Sequence, residues 1–352
     1  MYKSRCEKLL KLISKDADGV LITSEANLFY ISGFTGGEGY ALVANEKRVL
    51  FVDSRYTVQA KDEAPDFRVV QFSKSPYIPI EEESSYLKRL GFEDRKLSVF
   101  AFSKMRDALS AELVPLGDKM TELRKIKSIA ELSRITEAVR LADCAFDYTI
   151  KNIKAGMRET EVALLLEGFM RKNGAEKTSF DTICASGVRS ALPHGTATDK
   201  EIQKGDFLVM DYGCVLDGYC SDITRTVVIG RASDKQKELY NIVLYAQTRA
   251  EDSAVPGMKA ADLDKIARDI IKNFGYGDNF GHSLGHGVGV EIHEKPTVSP
   301  SSLETIDAGS VITIEPGIYI PDFGGVRIED MVFVEGMGHA VLTKSTKEMI
   351  EI

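Results

Sequence analysis

The stretch Gly205-Asp-Phe-Leu-Val-Met-Asp211-Tyr-Gly213 has a near copy about 100 residues later, Gly309-Ser-Val-Ile-Thr-Ile-Glu315-Pro-Gly317. In both copies an apolar, strand-like run leads to a carboxylate and ends at a glycine. Gly156-Met157-Arg158 likewise recurs as Gly257-Met258-Lys259, in the same order relative to the strands. A chance match of β-rich strings is the alternative, and the preserved order disfavours it. We predict a duplicated domain in which each half has two helices, then two strands, and an acid on its first long strand.

Asp217-Gly218 is a strong signal for a two-residue hairpin turn. It joins two apolar β runs, one containing Asp211 and the other Asp222. If the residues that flank the turn pair, Asp211 lies opposite Thr224 and becomes a diagonal neighbour of Asp222 on one face. Two carboxylates in apolar surroundings repel and are costly to bury unless a cation neutralises them. The alternative is a solvated face.

The second half of the repeat supplies two more acids, Glu315 and Glu329, which also interrupt apolar β runs. Arg327 and Glu329 are two residues apart on a predicted strand, so their side chains point to the same face. Because each half contributes two acids that interrupt apolar strands, we expect the acids of both halves to meet. The competing interpretation is that Arg327 and Glu329 form a purely structural ion pair.

Histidine is sparse, yet four of the five histidines lie near these acids in the sequence: His194, His282, His286 and His293. Glycines flank His282 and His286 closely, as expected where the backbone approaches a bound group. A lone histidine is more often a satisfied polar residue than a ligand, so we assign no function to His339.

Five residues form the predicted metal site: Asp211, Asp222, His286, Glu315 and Glu329. An oxygen-rich set with one imidazole suits two hard or borderline divalent ions better than a thiolate-type zinc site does. The charges of the four carboxylates balance those of two divalent cations. Two such ions can activate a water and polarise a carbonyl, which is the chemistry of metal-assisted hydrolysis.

The composition favours a cytoplasmic protein. The 352 residues include 45 basic and 53 acidic side chains, a net charge of −8 that disfavours a nucleic-acid partner. Five scattered cysteines without a CxxC pair indicate reduced thiols, not a disulfide framework. The N-terminus lacks the apolar core of a signal peptide, and no apolar run is long enough for a membrane span.

Two domains of different build are predicted. Residues 1–125 read as a smaller α/β domain with strands at 19–23, 40–44, 48–52, 67–72 and 97–100. Ser128 and Glu131 form a capping-box pattern that begins a long helix. Residues 126–352 then form the duplicated domain, and the fold class is α+β.

These motifs resemble the pita-bread metallopeptidase family, which contains methionine aminopeptidase, Xaa-Pro aminopeptidase and Xaa-Pro dipeptidase. The strings that carry the resemblance are Asp211-Tyr-Gly, Ser221-Asp222-Ile-Thr-Arg-Thr226, His282-Ser-Leu-Gly-His286-Gly-Val-Gly, Thr313-Ile-Glu315-Pro-Gly317 and Arg327-Ile-Glu329-Asp. It covers essentially the whole chain. It implies a creatinase-like N-terminal domain followed by a pita-bread catalytic domain, and a homodimer.

The resemblance also implies roles for the site residues. Asp222 and Glu329 would bridge the two ions, Asp211 would complete one site, and His286 with Glu315 would complete the other. The predicted substrate-contacting residues are His194, His282, His293 and Arg327, with Glu315 as a proton shuttle. Mn²⁺ or Co²⁺ is favoured, and Zn²⁺ or Fe²⁺ fits the same ligands.

Two activities and one non-catalytic function remain open at this point. The matches at His194, His293 and Arg327, together with the N-terminal domain, favour the proline-specific branch and peptide substrates with proline at the second position. Within that branch, the short chain favours Xaa-Pro dipeptidase over Xaa-Pro aminopeptidase. A non-catalytic binding module, as found among relatives that lost their ligands, is the remote alternative.

Overall fold

The computed structural model describes residues 2–45 and 47–352. The chain forms two compact units, Met1–Leu123 and Arg124–Ile352, whereas the sequence placed the boundary after residue 125. Arg124 and Lys125 belong to the second unit and form ion pairs with its acids. Arg124 Nε lies 3.1 Å from Glu294, and Lys125 Nζ lies 2.7 Å from Asp307.

A mixed six-stranded sheet forms the centre of the first unit, in the order β4-β3-β2-β1-β5-β6. Its strands are β1 (Gly19–Ile22), β2 (Tyr40–Ala44), β3 (Lys47–Val52), β4 (Arg68–Gln71), β5 (Arg89–Phe92) and β6 (Glu112–Pro115). Its helices are α1 (Tyr2–Ile13), α2 (Glu25–Ser32), α3 (Thr57–Glu63), α4 (Tyr77–Ser84) and α5 (Val99–Ala108), and α6 (Lys119–Lys125) spans the boundary. β1 is antiparallel to β2 and parallel to β5.

The predicted strand at residues 97–100 is wrong. Ser98 begins α5 there, and its Oγ accepts a hydrogen bond from the N–H of Ala101 at 3.2 Å. The strand that follows β4 in the sequence is β5, which begins eight residues before the predicted strand and pairs with β1 in parallel. A short apolar run does not distinguish a strand from the first turn of a helix, whereas the serine cap does.

The second unit consists of two similar halves. The first half contains α7 (Ile129–Ile150), α8 (Glu159–Lys172), β7 (Lys177–Thr178), β8 (Ile183–Ser186), β9 (Phe207–Tyr212), β10 (Cys214–Leu216), β11 (Tyr219–Cys220) and β12 (Ile223–Val228). The second half contains α9 (Asp234–Ser253), α10 (Ala260–Asn273), β13 (Gly285–Gly287), β14 (Glu294–Val298), β15 (Val311–Ile314), β16 (Gly317–Ile320), β17 (Gly324–Arg327), β18 (Asp330–Glu335) and β19 (Gly338–Val341).

The repeat extends to backbone detail. Serine capping boxes begin both α7 and α9. Gly156 and Gly257, which precede α8 and α10, both have positive φ, 91° and 84°. Their N–H groups donate to Ile202 O and Ile306 O, each at 2.8 Å. The two halves therefore fold in the same way, as the repeated sequence predicts.

The second unit has two hydrophobic cores, one packed against each helix pair, and the second core also includes Phe207 and Val228 from the first half. The first core includes Ala142, Phe146, Leu166, Met210 and Val227. The second includes Val243, Leu263, Ala267, Ile314 and Val332. The main sheet of the first half has the strand order β12-β9-β8, and that of the second half has the order β14-β13-β15-β18-β19.

The halves are joined at the strand segments that carry the candidate acids. The N–H of Glu329 donates to Thr224 O at 3.2 Å. Thr226 Oγ1 donates to Arg327 O at 2.9 Å. Because this junction lies between the two cores, polar side chains from both halves can meet there without disturbing either core.

Candidate metal centre and active site

The five predicted ligands lie at strand ends near the junction of the halves. Asp211 is in β9 opposite Thr224 of β12, as the hairpin register predicts. Asp222 directly precedes β12. Three ligands come from the second half: His286 in β13, Glu315 directly after β15, and Glu329 directly before β18.

Three of these ligands form a compact cluster. One ligand atom from each of Asp222, His286 and Glu329 lies within 4.8 Å of the others. His286 Nε2 is 3.5 Å from Asp222 Oδ2 and 3.4 Å from Glu315 Oε1. The imidazole thus sits between an acid of the first half and an acid of the second.

Two of the acids use only one carboxylate oxygen in hydrogen bonds to the described protein. Arg327 Nη2 donates to Asp211 Oδ2 at 2.5 Å, and Thr224 Oγ1 donates to Glu329 Oε2 at 2.7 Å. Asp211 Oδ1 and Glu329 Oε1 are buried and have no hydrogen-bond partner among the described residues. Buried oxygens of this kind require compensation, and a bound cation would supply it.

The electrostatics of the cluster agree with a bound cation. Burial raises the pKa of Asp222 well above its usual range, and repulsion from Glu329, Asp211 and Glu315 adds to the effect. Burial likewise raises the pKa of Glu329, with Glu315 and Asp211 as the repelling neighbours. Such acids are held as anions most easily when a cation sits among them, so the residues present fit a metal.

His286 is oriented for metal binding through Nε2. Its Nδ1 lies 3.1 Å from Gly287 O, and a carbonyl oxygen can only accept, so Nδ1 carries the proton. When the ring is neutral, as a metal ligand must be, the Nε2 lone pair faces Asp222 and Glu315. Without a metal, burial acts to lower the pKa of His286, but the contact with Glu315 outweighs it and raises the pKa. A backbone carbonyl that fixes the tautomer in this way is usual for metal-ligating histidines.

Arg327 links this cluster to His282 through Tyr319. The guanidinium donates from Nη1 to Tyr319 Oη at 2.6 Å and from Nε to Thr224 Oγ1 at 3.1 Å. His282 Nδ1 lies 2.8 Å from Ser283 O and therefore carries a proton. In the neutral ring, Nε2 accepts from Tyr319 Oη at 3.0 Å. Burial raises the pKa of Tyr319 to about 12, so its hydroxyl remains protonated.

His293 adjoins the cluster, and His194 does not contact it by any hydrogen bond, ion pair or ring contact of the described residues. The His293 ring lies edge-on to His286 with centroids 4.4 Å apart, and partial burial and His286 lower its pKa. His194 is exposed in a loop before Gly195, and its charge also acts to lower the pKa of His293.

Sequence reasoning missed Tyr319 and the hydroxyl of Thr224. Thr224 donates to Glu329 and accepts from Arg327, so it joins two predicted site residues. Tyr319 was detectable as the only aromatic residue of a short strand that follows Glu315-Pro-Gly317. Its hydroxyl partners come from β17 and from the loop before β13, which local sequence cannot reveal.

Four carboxylates and an imidazole meet between the halves of the duplicated domain. This arrangement is typical of a metal-dependent hydrolase. The model of metallopeptidase family M24 matches residues 133–336, and that of the creatinase/prolidase N-terminal domain matches residues 5–126. The chain belongs to metallopeptidase family M24, which confirms the predicted family, fold class and enzyme class.

Similar proteins match over essentially their full lengths. The Xaa-Pro dipeptidase of Pyrococcus furiosus is 46% identical over 351 residues, covering 99% of this chain and 100% of that protein. The structure of the Xaa-Pro dipeptidase from Bacillus anthracis has a TM-score of 0.97 at 41% identity and 100% coverage of both chains. That of the X-Pro aminopeptidase from Thermotoga maritima has a TM-score of 0.93 at 40% identity, with 99% coverage of both.

None of the helices in the described residues combines the length and apolarity that a membrane crossing requires.

Proposed function

We propose that this protein is an Xaa-Pro dipeptidase, a metal-dependent hydrolase that cleaves the peptide bond before a C-terminal proline. The observation that carries the proposal is the cluster of Asp222, His286 and Glu329 beside two buried, unpartnered carboxylate oxygens. Its support from relatives is the 46% identity to the Pyrococcus furiosus enzyme over the whole chain.

The proposed ligands of two divalent cations are Asp211, Asp222, His286, Glu315 and Glu329. Mn²⁺ or Co²⁺ suits this oxygen-rich set with one imidazole, and Zn²⁺ or Fe²⁺ is compatible with it. When bound, the cations would neutralise the four carboxylates and supply Lewis acidity toward water and the scissile carbonyl.

Glu315 is proposed to carry a proton between the attacking water and the leaving proline nitrogen. Its Oε1 accepts from Thr313 Oγ1 at 3.1 Å and lies 3.4 Å from His286 Nε2. Burial acts to raise the pKa of Glu315, but in the metal-free protein the hydrogen bond and charge of protonated His286 outweigh it and lower the pKa. The carboxylate is therefore ionised and able to accept a proton at neutral pH.

His282, His293, His194 and Arg327 are proposed to contact the substrate. His282 carries its proton on Nδ1, so its Nε2 can exchange the hydrogen bond from Tyr319 for one with a substrate. Arg327 keeps Asp211 oriented and holds Tyr319 in place. An Xaa-Pro bond lacks the N–H that most proteases engage, so recognition must come from side chains placed around the substrate's ends.

Xaa-Pro aminopeptidase is the second candidate, because the TM-score of the Thermotoga maritima X-Pro aminopeptidase, 0.93, lies within the range of 0.88 to 0.97 for the dipeptidase and prolidase structures from Bacillus anthracis, Pyrococcus horikoshii and Pyrococcus furiosus. The experiment is a turnover assay of metal-stripped protein reloaded with Mn²⁺, Co²⁺ or Zn²⁺. Substrates are an Xaa-Pro dipeptide, an Xaa-Pro-Yaa tripeptide and an Xaa-Ala control. Cleavage of the dipeptide alone supports the proposal, preference for the tripeptide supports the aminopeptidase, and no cleavage with any metal favours a non-catalytic binding module.

We also propose that the protein is a cytoplasmic homodimer. The support is the family resemblance for the dimer, and the net charge of −8 with five free cysteines for the compartment. Light scattering on the purified full-length protein tests the dimer, and a monomer at micromolar concentration would contradict it.

A further inference from the structure

A buried acid lies directly beside His293. The loop 288–293 connects β13 to β14, and Glu294 is the first residue of β14. The Glu294 side chain is fully buried, whereas His293 is exposed. His293 is the last residue of the loop and is bonded directly to Glu294, so the anchoring of Glu294 restricts where the backbone of His293 can lie.

Glu294 is held by two buried cations that precede α7. Arg124 Nε lies 3.1 Å from Glu294 Oε1, and Lys127 Nζ lies 3.0 Å from Oε2. Both basic side chains are 1% exposed. The backbone of Lys127 is anchored as well, since its N–H donates to Gly309 O at 2.8 Å.

The same ions hold the loop that carries His293. The N–H of Glu291 donates to Glu294 Oε1 at 3.1 Å, and Arg124 also pairs with the Glu291 carboxylate. At the other side of the loop, the N–H of Cys220 donates to Gly289 O at 2.8 Å. A Cβ on Gly289 would lie 2.5 Å from Glu294 Oε2, so only glycine leaves room for the carboxylate there.

We propose that Glu294, Lys127 and Arg124 are positioning residues that set the direction of His293 in the active site. This inference rests on the proposed function, in which His293 contacts the substrate. Stability is a weak explanation for the cluster, because apolar groups of similar volume often stabilise a core as well as a buried ion pair does. The cluster does restrain the loop, since the Glu294 carboxylate accepts hydrogen bonds from Lys127 and from the loop's own backbone and also forms an ion pair with Arg124.

A double-mutant cycle separates positioning from general stability. Lys127→Met removes one cation, and His293→Ala removes the group that it is proposed to orient. We expect Lys127→Met to lower kcat/KM for the cleaved dipeptide about tenfold, mainly through KM, with metal content unchanged. In the His293→Ala background the same change should lower kcat/KM less than about twofold. Equal losses in both backgrounds would overturn the proposal.

Lys125→Met is the matched control, because Lys125 lies two residues away and pairs with Asp307 outside the cluster. It should leave both kinetic parameters at their wild-type values. Should Lys127→Met not fold, Glu294→Gln replaces it in the cycle under the same criteria, since it keeps the shape and removes the charge. A Lys125→Met loss equal to that of Lys127→Met would contradict the proposal.

Hydrogen exchange tests the positioning without turnover, so it distinguishes this inference from the proposed function. In the full-length protein, amides of residues 288–293 should exchange at least about tenfold faster in Lys127→Met than in wild type or Lys125→Met. Amides of β15 should not change. Wild-type exchange rates in the loop would refute the positioning, whereas fast loop exchange in a protein that cleaves no Xaa-Pro peptide would refute only the proposed function.

Discussion

The Asp222 side chain is buried, is repelled by neighbouring carboxylates and lies next to His286. Its carboxylate lies among three other acids, and burial and their repulsion raise its pKa. An amide at this position would remove the charge with little change in shape. Asp222 is therefore the residue at which the metal assignment can be tested most directly.

Asp222→Asn should lose at least one metal ion and essentially all activity, because an amide supplies a weaker ligand and no charge. Elemental analysis and turnover of the metal-reloaded variant measure the two effects. Asp217→Asn is a suitable control, since Asp217 lies in the hairpin turn with positive φ, which asparagine also tolerates. Unchanged turnover in Asp222→Asn would contradict the assignment.

Tyr319→Phe tests the hydroxyl between Arg327 and His282. Removing it leaves a buried guanidinium N–H without its 2.6 Å partner and releases His282 Nε2. We expect kcat/KM to fall about 10- to 100-fold, because hydrogen bonds to charged groups are among the stronger ones. Metal content should stay at the wild-type value.

Tyr240→Phe is the control for Tyr319→Phe. Tyr240 is also a buried tyrosine, and its hydroxyl donates to Lys347 O at 3.0 Å, away from the acid cluster. Its removal should lower stability slightly and leave kcat/KM unchanged. Equal kinetic losses in both variants would mean that the Tyr319 hydroxyl has no particular role in catalysis.

At the scale of elements, Arg225 connects three segments of the second unit. From β12, it donates from Nη1 to Thr224 O and Glu329 O, and from Nη2 to Asp330 Oδ1 and Ser345 O. Its Nε donates to Thr346 O at 2.9 Å. All five guanidinium donors are thus used, and β12 is tied both to β18 and to the segment after β19.

Arg225→Met should lower the free energy of unfolding by roughly 3–5 kcal/mol, because it leaves the buried Asp330 carboxylate and several carbonyls with fewer partners. Urea denaturation of the full-length protein measures the loss. Arg249→Met removes an exposed pair with Asp252 and should change stability by at most about 1 kcal/mol. Similar losses for both variants would contradict the importance of the Arg225 network.

The elements that could be predicted are those specified by local chemistry. Asp217-Gly218 determines a tight turn, and the observed pairs Leu216–Tyr219 and Asp211–Thr224 follow from it. The Ser128–Glu131 capping box begins α7 as predicted. The strand at residues 97–100 failed because a short apolar run fits either a strand or a helix start, and only the Ser98 cap distinguishes them.

The sequence predicts a site residue when that residue recurs in both halves of the repeat or when it interrupts an apolar strand. The acids fulfil that condition in both halves, whereas Tyr319 and Thr224 are ordinary strand residues whose hydroxyls acquire partners only through tertiary contacts. The ion cluster around Glu294 was not predicted for the same reason. Its cations lie more than 160 residues away in the sequence.

At the scale of the whole molecule, the acids lie where the two halves of the second unit are hydrogen-bonded together, so their charge state affects the stability of that unit. Burial raises the pKa values of Asp211, Asp222 and Glu329. Glu315 is the exception, since the contact with His286 outweighs burial and lowers its pKa. The stability contributed by the three raised groups is present below the ordinary carboxyl pKa and is lost as the pH rises through the raised values.

We therefore expect the stabilisation by metal to grow as the pH rises above about 4, the ordinary carboxyl pKa. Below the raised pKa values, protons hold the acids of the folded chain neutral and compete with the metal. As the pH rises through those values, the metal-free acids become anions that repel one another, whereas bound Mn²⁺ compensates their charge and stabilises the folded chain by mass action. Calorimetry with saturating Mn²⁺ and with a chelator gives the Tm difference at each pH. Asp222→Asn, which has one fewer acid, should show a smaller and flatter difference. A wild-type difference that is constant between about pH 5 and pH 8 would mean that these carboxylates do not exchange protons for metal.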